Sequence, residues 1–136
     1  MAKLTRTAMS LDSGLLVRFD GWMARHGYTN RSEAMRDLIR GALVEQEWAD
    51  PRAEVVAALS VIYDHDSHDL AQGMADIQHR GFRAVLCSQH VHLDRHLCLE
   101  VVLLRGRAAE LRRLTDRIIA TRGVRAGKLT LMSTKV

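Results

Sequence analysis

The single proline of this chain limits its possible folds more than any other residue. Pro51 has no N–H and disfavours the helical conformation at Asp50, so a helix that reaches Trp48 must stop there. The 136 residues therefore divide into an N-terminal piece, 1–48, a linker, 49–53, and a C-terminal piece, 54–136. Each piece is expected to carry its own elements. At 47% hydrophobic and 26% charged residues the chain is too apolar to be disordered. Its longest apolar run, Val55 to Tyr63, is broken by Ser60 and falls far short of the about 20 residues that cross a bilayer, so no membrane partner is expected. The opening Met-Ala-Lys-Leu-Thr-Arg has no long apolar stretch behind its positive charges, so no secretory leader is expected. Two cysteines without such a leader point to a reducing cytoplasm, where thiols bind metal or pack.

In the N-terminal piece, residues 6–11 alternate. Thr7, Met9 and Leu11 share one side and Arg6, Ala8 and Ser10 the other, the pattern of a short strand with one buried face. Asp12 or Ser13 can cap the helix that follows, whose apolar positions are Leu15, Leu16, Phe19, Trp22 and Met23. Gly27 suits the left-handed residue that ends a helix. Asn30-Arg31-Ser32-Glu33 is a capping-box variant, and Ala34, Leu38, Ile39, Ala42 and Leu43 form the stripe of a second helix. One strand cannot stand alone, since even a two-stranded hairpin is marginal in water. The simplest remedy is a dimer whose two strands pair antiparallel.

The C-terminal piece reads strand (54–64), helix (67–80), strand (83–92), strand (97–104), helix (107–121), strand (127–134). This βαββαβ order predicts a ferredoxin-like sandwich with both helices on one sheet face. The fold class is thus α+β, and the other sheet face is free to meet another subunit.

Histidine is unevenly spread. Of seven histidines, six (His65, His68, His79, His90, His92 and His96) fall between residues 65 and 96, with Cys87 inside that segment and Cys98 beside it. Imidazole and thiolate are the side chains that bind transition metals best. In a strand, residues i and i+2 face the same way, so His90 and His92 can reach one ion. If the next strand pairs with this one, Cys98 comes alongside them, and His79 can supply a fourth nitrogen from its own chain or across an interface. Nitrogen and thiolate ligands of this kind hold zinc tetrahedrally, or nickel or copper in a plane. Glu100, two residues beyond Cys98, can fix the tautomer of a ligating imidazole. Cys87 has the opposite parity to His90 and His92 and is expected to be a buried apolar residue. His96 is expected to be exposed in the hairpin turn.

Arg6-x-Ala8-x-Ser10-Leu11-Asp12, followed by Gly27-Tyr28-x-Asn30-Arg31-Ser32-Glu33-Ala34-x-Arg36-Asp37, resembles the ribbon-helix-helix DNA-binding domains. The resemblance implies that paired strands enter the major groove of an operator, with Arg6, Ala8 and Ser10 facing the bases. Asn30, Arg31 and Ser32 would hold phosphates at the start of the second helix. Charge adds little here: the chain is +4 overall, but residues 1–48 carry seven Lys/Arg against six Asp/Glu. The basic excess lies at 105–128, with eight against two.

Gln78-His79, His90-Val91-His92, Cys98-Leu99-Glu100 and Arg122-Gly123-Val124-Arg125-x-Gly127 extend the likeness over about residues 4–132. The chain resembles the nickel-responsive repressors, which join a ribbon-helix-helix unit to a ferredoxin-like (ACT-like) metal sensor. The resemblance implies a homotetramer, dimeric through its N-terminal strands and tetrameric through its C-terminal domains. It implies one Ni(II) per subunit, held by His90, His92 and Cys98 of one subunit and His79 of a neighbour. It further suggests a secondary metal role for His65 and a cation near the Glu33/Asp37 pair at the domain interface; His68, among Asp64, Asp66 and Asp69 at the start of a helix, reads as a polar cap or as part of that secondary site. Two features depart from the pattern: Ala8 stands where the ribbon is usually polar, and Arg80-Gly81-Phe82-Arg83 lacks the histidine run of some members. Two other classes stay open on the residues alone. One is a metal-independent regulator that senses a small ligand. The other is a metalloenzyme, against which stands the lack of an open-site motif such as His-Glu-x-x-His.

Overall fold

The computed structural model describes residues 3–66, 75, 79 and 83–136. It divides into two compact units, Met1–Arg40 and Gly41–Val136. The division falls inside a helix, so the two units are described in turn.

The first unit is helical. Helix α1 spans Ser13–Arg25, and Asp12 is its cap, accepting a hydrogen bond from the Leu15 N–H at 2.8 Å. Gly27, at φ 76°, turns the chain out of the helix, and the Tyr28 N–H returns to the Met23 carbonyl. Helix α2 spans Arg31–Ala49, with the Asn30 side chain accepting from the Glu33 N–H at 2.8 Å. Met23 and Ala34 are buried, whereas Leu15, Val17, Leu38 and Ile39 stay exposed.

The expected strand at 6–11 is absent. Residues 3–12 belong to no helix or strand, and Thr7 and Met9, which should have been buried, are exposed. The reason is physical: a strand exists only by pairing its backbone groups with another strand, and among the described residues this unit has none to offer.

The second unit is an α+β layer. Strands β1 (Glu54–Asp64), β2 (Val85–His92), β3 (Leu97–Arg107) and β4 (Val124–Met132) form one sheet of order β2-β3-β1-β4. Every neighbouring pair is antiparallel. This order is compatible with a ferredoxin-like domain. Helix α3 spans Ala108–Ile119 and turns Ala108, Leu111, Thr115 and Ile118 inward. The expected helix at 67–80 lies outside the described residues, apart from Ala75 and His79, which are helical.

Burial alternates along β1 so that Val55, Ala57, Leu59, Val61 and Tyr63 form the inner row, and along β3 so that Cys98, Glu100, Val102 and Leu104 do. The last turn of α2 adds Trp48, whose Nε1–H donates to the Met132 carbonyl at 3.0 Å while the Arg112 guanidinium lies over its ring. Several boundaries differ from expectation: β2 begins at Val85, α3 spans Ala108–Ile119 and β4 ends at Met132. β3 runs on to Arg107, and β4 begins at Val124, directly after Gly123 (φ 96°). Gly127 thus lies within the strand, and a Cβ there would be 2.6 Å from Ile119 Cγ1, so glycine lets α3 sit this close to β4.

Cys87 is exposed rather than buried. It lies opposite Leu103 on the edge strand β2, beside a register irregularity between Val85 and Cys87. Leu103 itself belongs to the sheet face away from the buried row and is also exposed. Parity was read correctly, but that face has no covering layer among the described residues.

Candidate metal centre

Sheet register builds the site. Across β2 and β3, His92 stands opposite Cys98 and His90 opposite Glu100. Across β3 and β1, Cys98 stands opposite Tyr63. All of these residues share the face that carries the inner row. His65 follows the end of β1 and continues the parity of Tyr63, so it reaches the same side. Its backbone N–H donates to the His96 carbonyl at 2.7 Å, which pins it to the β2–β3 turn.

That turn is tight. One Asp94 side-chain oxygen accepts from the N–H groups of His96 (2.7 Å) and Leu97 (2.8 Å). These two donors hold the Asp94 carboxyl below the usual carboxylate range. The turn thereby delivers His92 at the end of one strand and Cys98 near the start of the next.

The result is a cluster. Ligand atoms of His65, His90, His92 and Cys98 all lie within 4.8 Å of one another. Cys98 Sγ is 3.4 Å from His92 Nδ1 and 3.5 Å from His65 Nδ1. Nitrogen and sulfur bound to one ion at about 2.0 and 2.3 Å would stand roughly 3 to 3.5 Å apart, so these donors fit a shared transition-metal ion. Cys98 is fully buried and the three histidines are exposed, so the set opens on one side. Burial, with the charges of Glu100, Asp94 and Asp64 behind it, pushes the Cys98 thiol up. A cation among the donors would reverse that preference, because its charge favours thiolate.

Behind the donors lies a polar group at the edge of the core. The Tyr63 hydroxyl donates to Glu100 Oε2 at 3.1 Å and is 2.9 Å from His90 Nδ1. Burial and the Glu100 charge raise the phenol well above its ordinary value, so it remains a neutral hydroxyl.

Of the expected primary ligands, the structure brings together His90, His92 and Cys98. His79 is helical and exposed and is not in the cluster. Its proposed role concerns a neighbouring subunit. His65, expected as a separate secondary residue, joins the other three. The inner-row parity from Val55 to Tyr63 already pointed to it, as the next odd position. His68 lies outside the described residues. His96 is exposed as expected, its Nδ1 3.2 Å from Asp66 Oδ2. Tyr63 went unnoticed in the sequence, where it reads as one more apolar strand residue.

The residues expected to meet nucleic acid are scattered over the first unit. Arg6, Ala8 and Ser10 are exposed in the segment before α1. Asn30 is occupied as a cap, while Ser32 is exposed. The Arg31 guanidinium is held by both oxygens of Asp20, at 2.9 and 2.8 Å. The Arg31 side chain is thus engaged within its own unit. Asp37 accepts from the Tyr28 hydroxyl (2.9 Å) and from Arg40 (3.2 Å), and Glu33 lies 3.9 Å from Arg36.

The family model of the C-terminal nickel-binding domain of NikR matches residues 56–132, more than half of the chain and all four clustered residues. The chain belongs to this family. Relatives named nickel-responsive regulators match along nearly the full length. One from Nitratidesulfovibrio vulgaris is 48% identical over 98% of this chain and 96% of its own. One from Anaeromyxobacter dehalogenans is 51% identical over 93% of this chain and 92% of its own. Among solved structures, an uncharacterized protein of Thermotoga maritima, 13% identical, covers 57% of this chain and 96% of its own with a TM-score of 0.52, a likeness of fold alone. No described helix is long and apolar enough to cross a membrane.

Proposed function

We propose that this chain is a cytoplasmic, nickel-responsive transcriptional repressor that binds a double-stranded DNA operator more tightly when nickel is bound. The observation that carries this reading is the convergence of His65, His90, His92 and Cys98 around one point. In the proposed division, 1–48 is the DNA-binding unit, 49–53 the linker and 54–136 the sensor. Residues 6–11 pair with the same segment of a second chain to make the ribbon, with Arg6, Ala8 and Ser10 toward the bases and Asn30, Arg31 and Ser32 toward phosphates. The exposed apolar surface of α1 and α2 gives that dimer its driving force. The sensor domains then assemble two dimers into a tetramer.

Three donors of the site, His90, His92 and Cys98, come from one subunit. For the fourth we assign His79 of a neighbouring subunit, giving one Ni(II) per subunit that ties two chains together. A second reading rests on the place of His65: four donors from one chain can hold an ion without a neighbour. Nitrogen and thiolate ligands supply an ion with strong, pH-dependent anchorage, since each donor must be deprotonated. Glu33 and Asp37 are the candidates for an additional cation. The ion can change DNA affinity only as far as it binds the DNA-competent arrangement better than the other.

The test is fluorescence anisotropy on a promoter fragment with and without nickel, on the wild type, Cys98→Ala, His65→Ala and His79→Ala. We expect nickel to tighten the wild type and to leave Cys98→Ala unchanged. Loss of the nickel response in His79→Ala but not His65→Ala supports the shared site, and the reverse supports the single-chain site. Equal DNA affinity with and without nickel in the wild type overturns the repressor reading.

A further inference from the structure

The network behind the metal donors has a direction. Glu100 is 6% exposed, and its Oε2 accepts the proton of the Tyr63 hydroxyl at 3.1 Å. A phenol has one proton to give. With that proton committed to Glu100, the phenol oxygen can meet His90 Nδ1, 2.9 Å away, only by accepting. His90 must then carry its proton on Nδ1, and the lone pair left on the ring is at Nε2. The carboxylate alone does not achieve this, because Glu100 Oε2 is 3.8 Å from His90 Nδ1, beyond hydrogen-bond range.

We propose that Tyr63 is a positioning residue for the metal site, acting through His90. It relays the acceptor character of buried Glu100 to His90 Nδ1 and so locks the Nδ1–H tautomer, keeping Nε2 ready as a ligand before any metal arrives. The inference rests on the nickel-site reading given above and assigns it a preorganising element. Metal-bound histidines commonly give their second N–H to a carboxylate or carbonyl. Here a phenol stands between ring and carboxylate: His90 and Glu100 face each other across β2 and β3, and the long Tyr63 side chain reaches both from β1. The phenol spans a gap that the shorter carboxylate leaves open.

The closing experiment reads the tautomer directly. The full-length, metal-free protein is labelled with 15N-histidine, and long-range 1H–15N spectra are recorded at a pH where imidazole is neutral. Wild-type His90 is expected as Nδ1–H. In Tyr63→Phe, which keeps the ring in the core, the signal should move to Nε2–H or to a mixture. Glu100→Gln is the second variant. Its amide can donate to the phenol oxygen, which frees the phenol proton for His90 Nδ1 and should again shift the tautomer. Nickel titration against a competing chelator should show Tyr63→Phe weakened about 10- to 100-fold. A wild-type His90 found as Nε2–H, or a tautomer unmoved in both variants, overturns the relay. Unchanged nickel affinity in Tyr63→Phe overturns its role in binding. If the wild type binds no nickel, the nickel reading fails, and the tautomer shift still decides the relay.

Discussion

Asp94 shows how much of the site hangs on one short side chain. Its carboxylate gathers two N–H groups of the turn between β2 and β3 and thereby sets the distance from His92 to Cys98. Its pKa is lowered by those donors, so the stability it lends is present above the ordinary carboxylate range and is lost as pH falls through its own, lower value. We expect the Leu97 amide to stay protected from hydrogen exchange through mildly acidic pH and to lose protection only below the normal Asp range. Asp94→Ala should show the loose turn at every pH. Equal protection in the variant and the wild type would contradict the assignment.

At this scale the convergence of His90, His92 and Cys98 was readable, because an i, i+2 histidine pair and a cysteine beyond a short turn have few arrangements in a hairpin. Tyr63 was not readable, because its role depends on register across three strands. Nor was the exposure of Cys87, because parity tells which face a residue takes and not whether anything covers that face.

Among the elements, the pairing of α3 with β4 depends on Gly127. Ile119 occupies the volume a side chain would need, with its Cγ1 at 2.6 Å from a Cβ built at that position. Gly127→Ala should therefore destabilise the protein by about 1–3 kcal/mol, as overpacking does, read from the midpoint of denaturant unfolding. A neutral result would mean that α3 moves aside freely. The order of strands and helices followed from alternation in Val55–Tyr63 and from the helical spacing of Leu111, Leu114 and Ile118, since burial and periodicity are the same fact seen twice. Boundaries were less legible. Gly127 reads as the start of a strand until the contact that demands glycine is known. The strand at 6–11 fails in a single chain because its hydrogen-bonding partner belongs to another molecule in our reading.

For the whole molecule, the proposed assembly rests on the first unit. Leu15, Val17, Phe19, Trp22 and Leu38 line an open apolar groove, and Leu15, Val17 and Leu38 are exposed. Assembly through this surface predicts that Leu38→Glu lowers the oligomeric state in sedimentation analysis and weakens DNA binding, while nickel still reaches His90, His92 and Cys98. An oligomer unchanged by this substitution would place the interface elsewhere.

In our reading, imidazole and thiolate donors at the ends of β1, β2 and β3 share a nickel ion. X-ray absorption at the nickel edge of the loaded full-length protein tests it most directly. A single sulfur neighbour with imidazole nitrogens around it is expected, with loss of the sulfur in Cys98→Ser. A shell of oxygen and nitrogen alone, the same in the wild type and the variant, would contradict it.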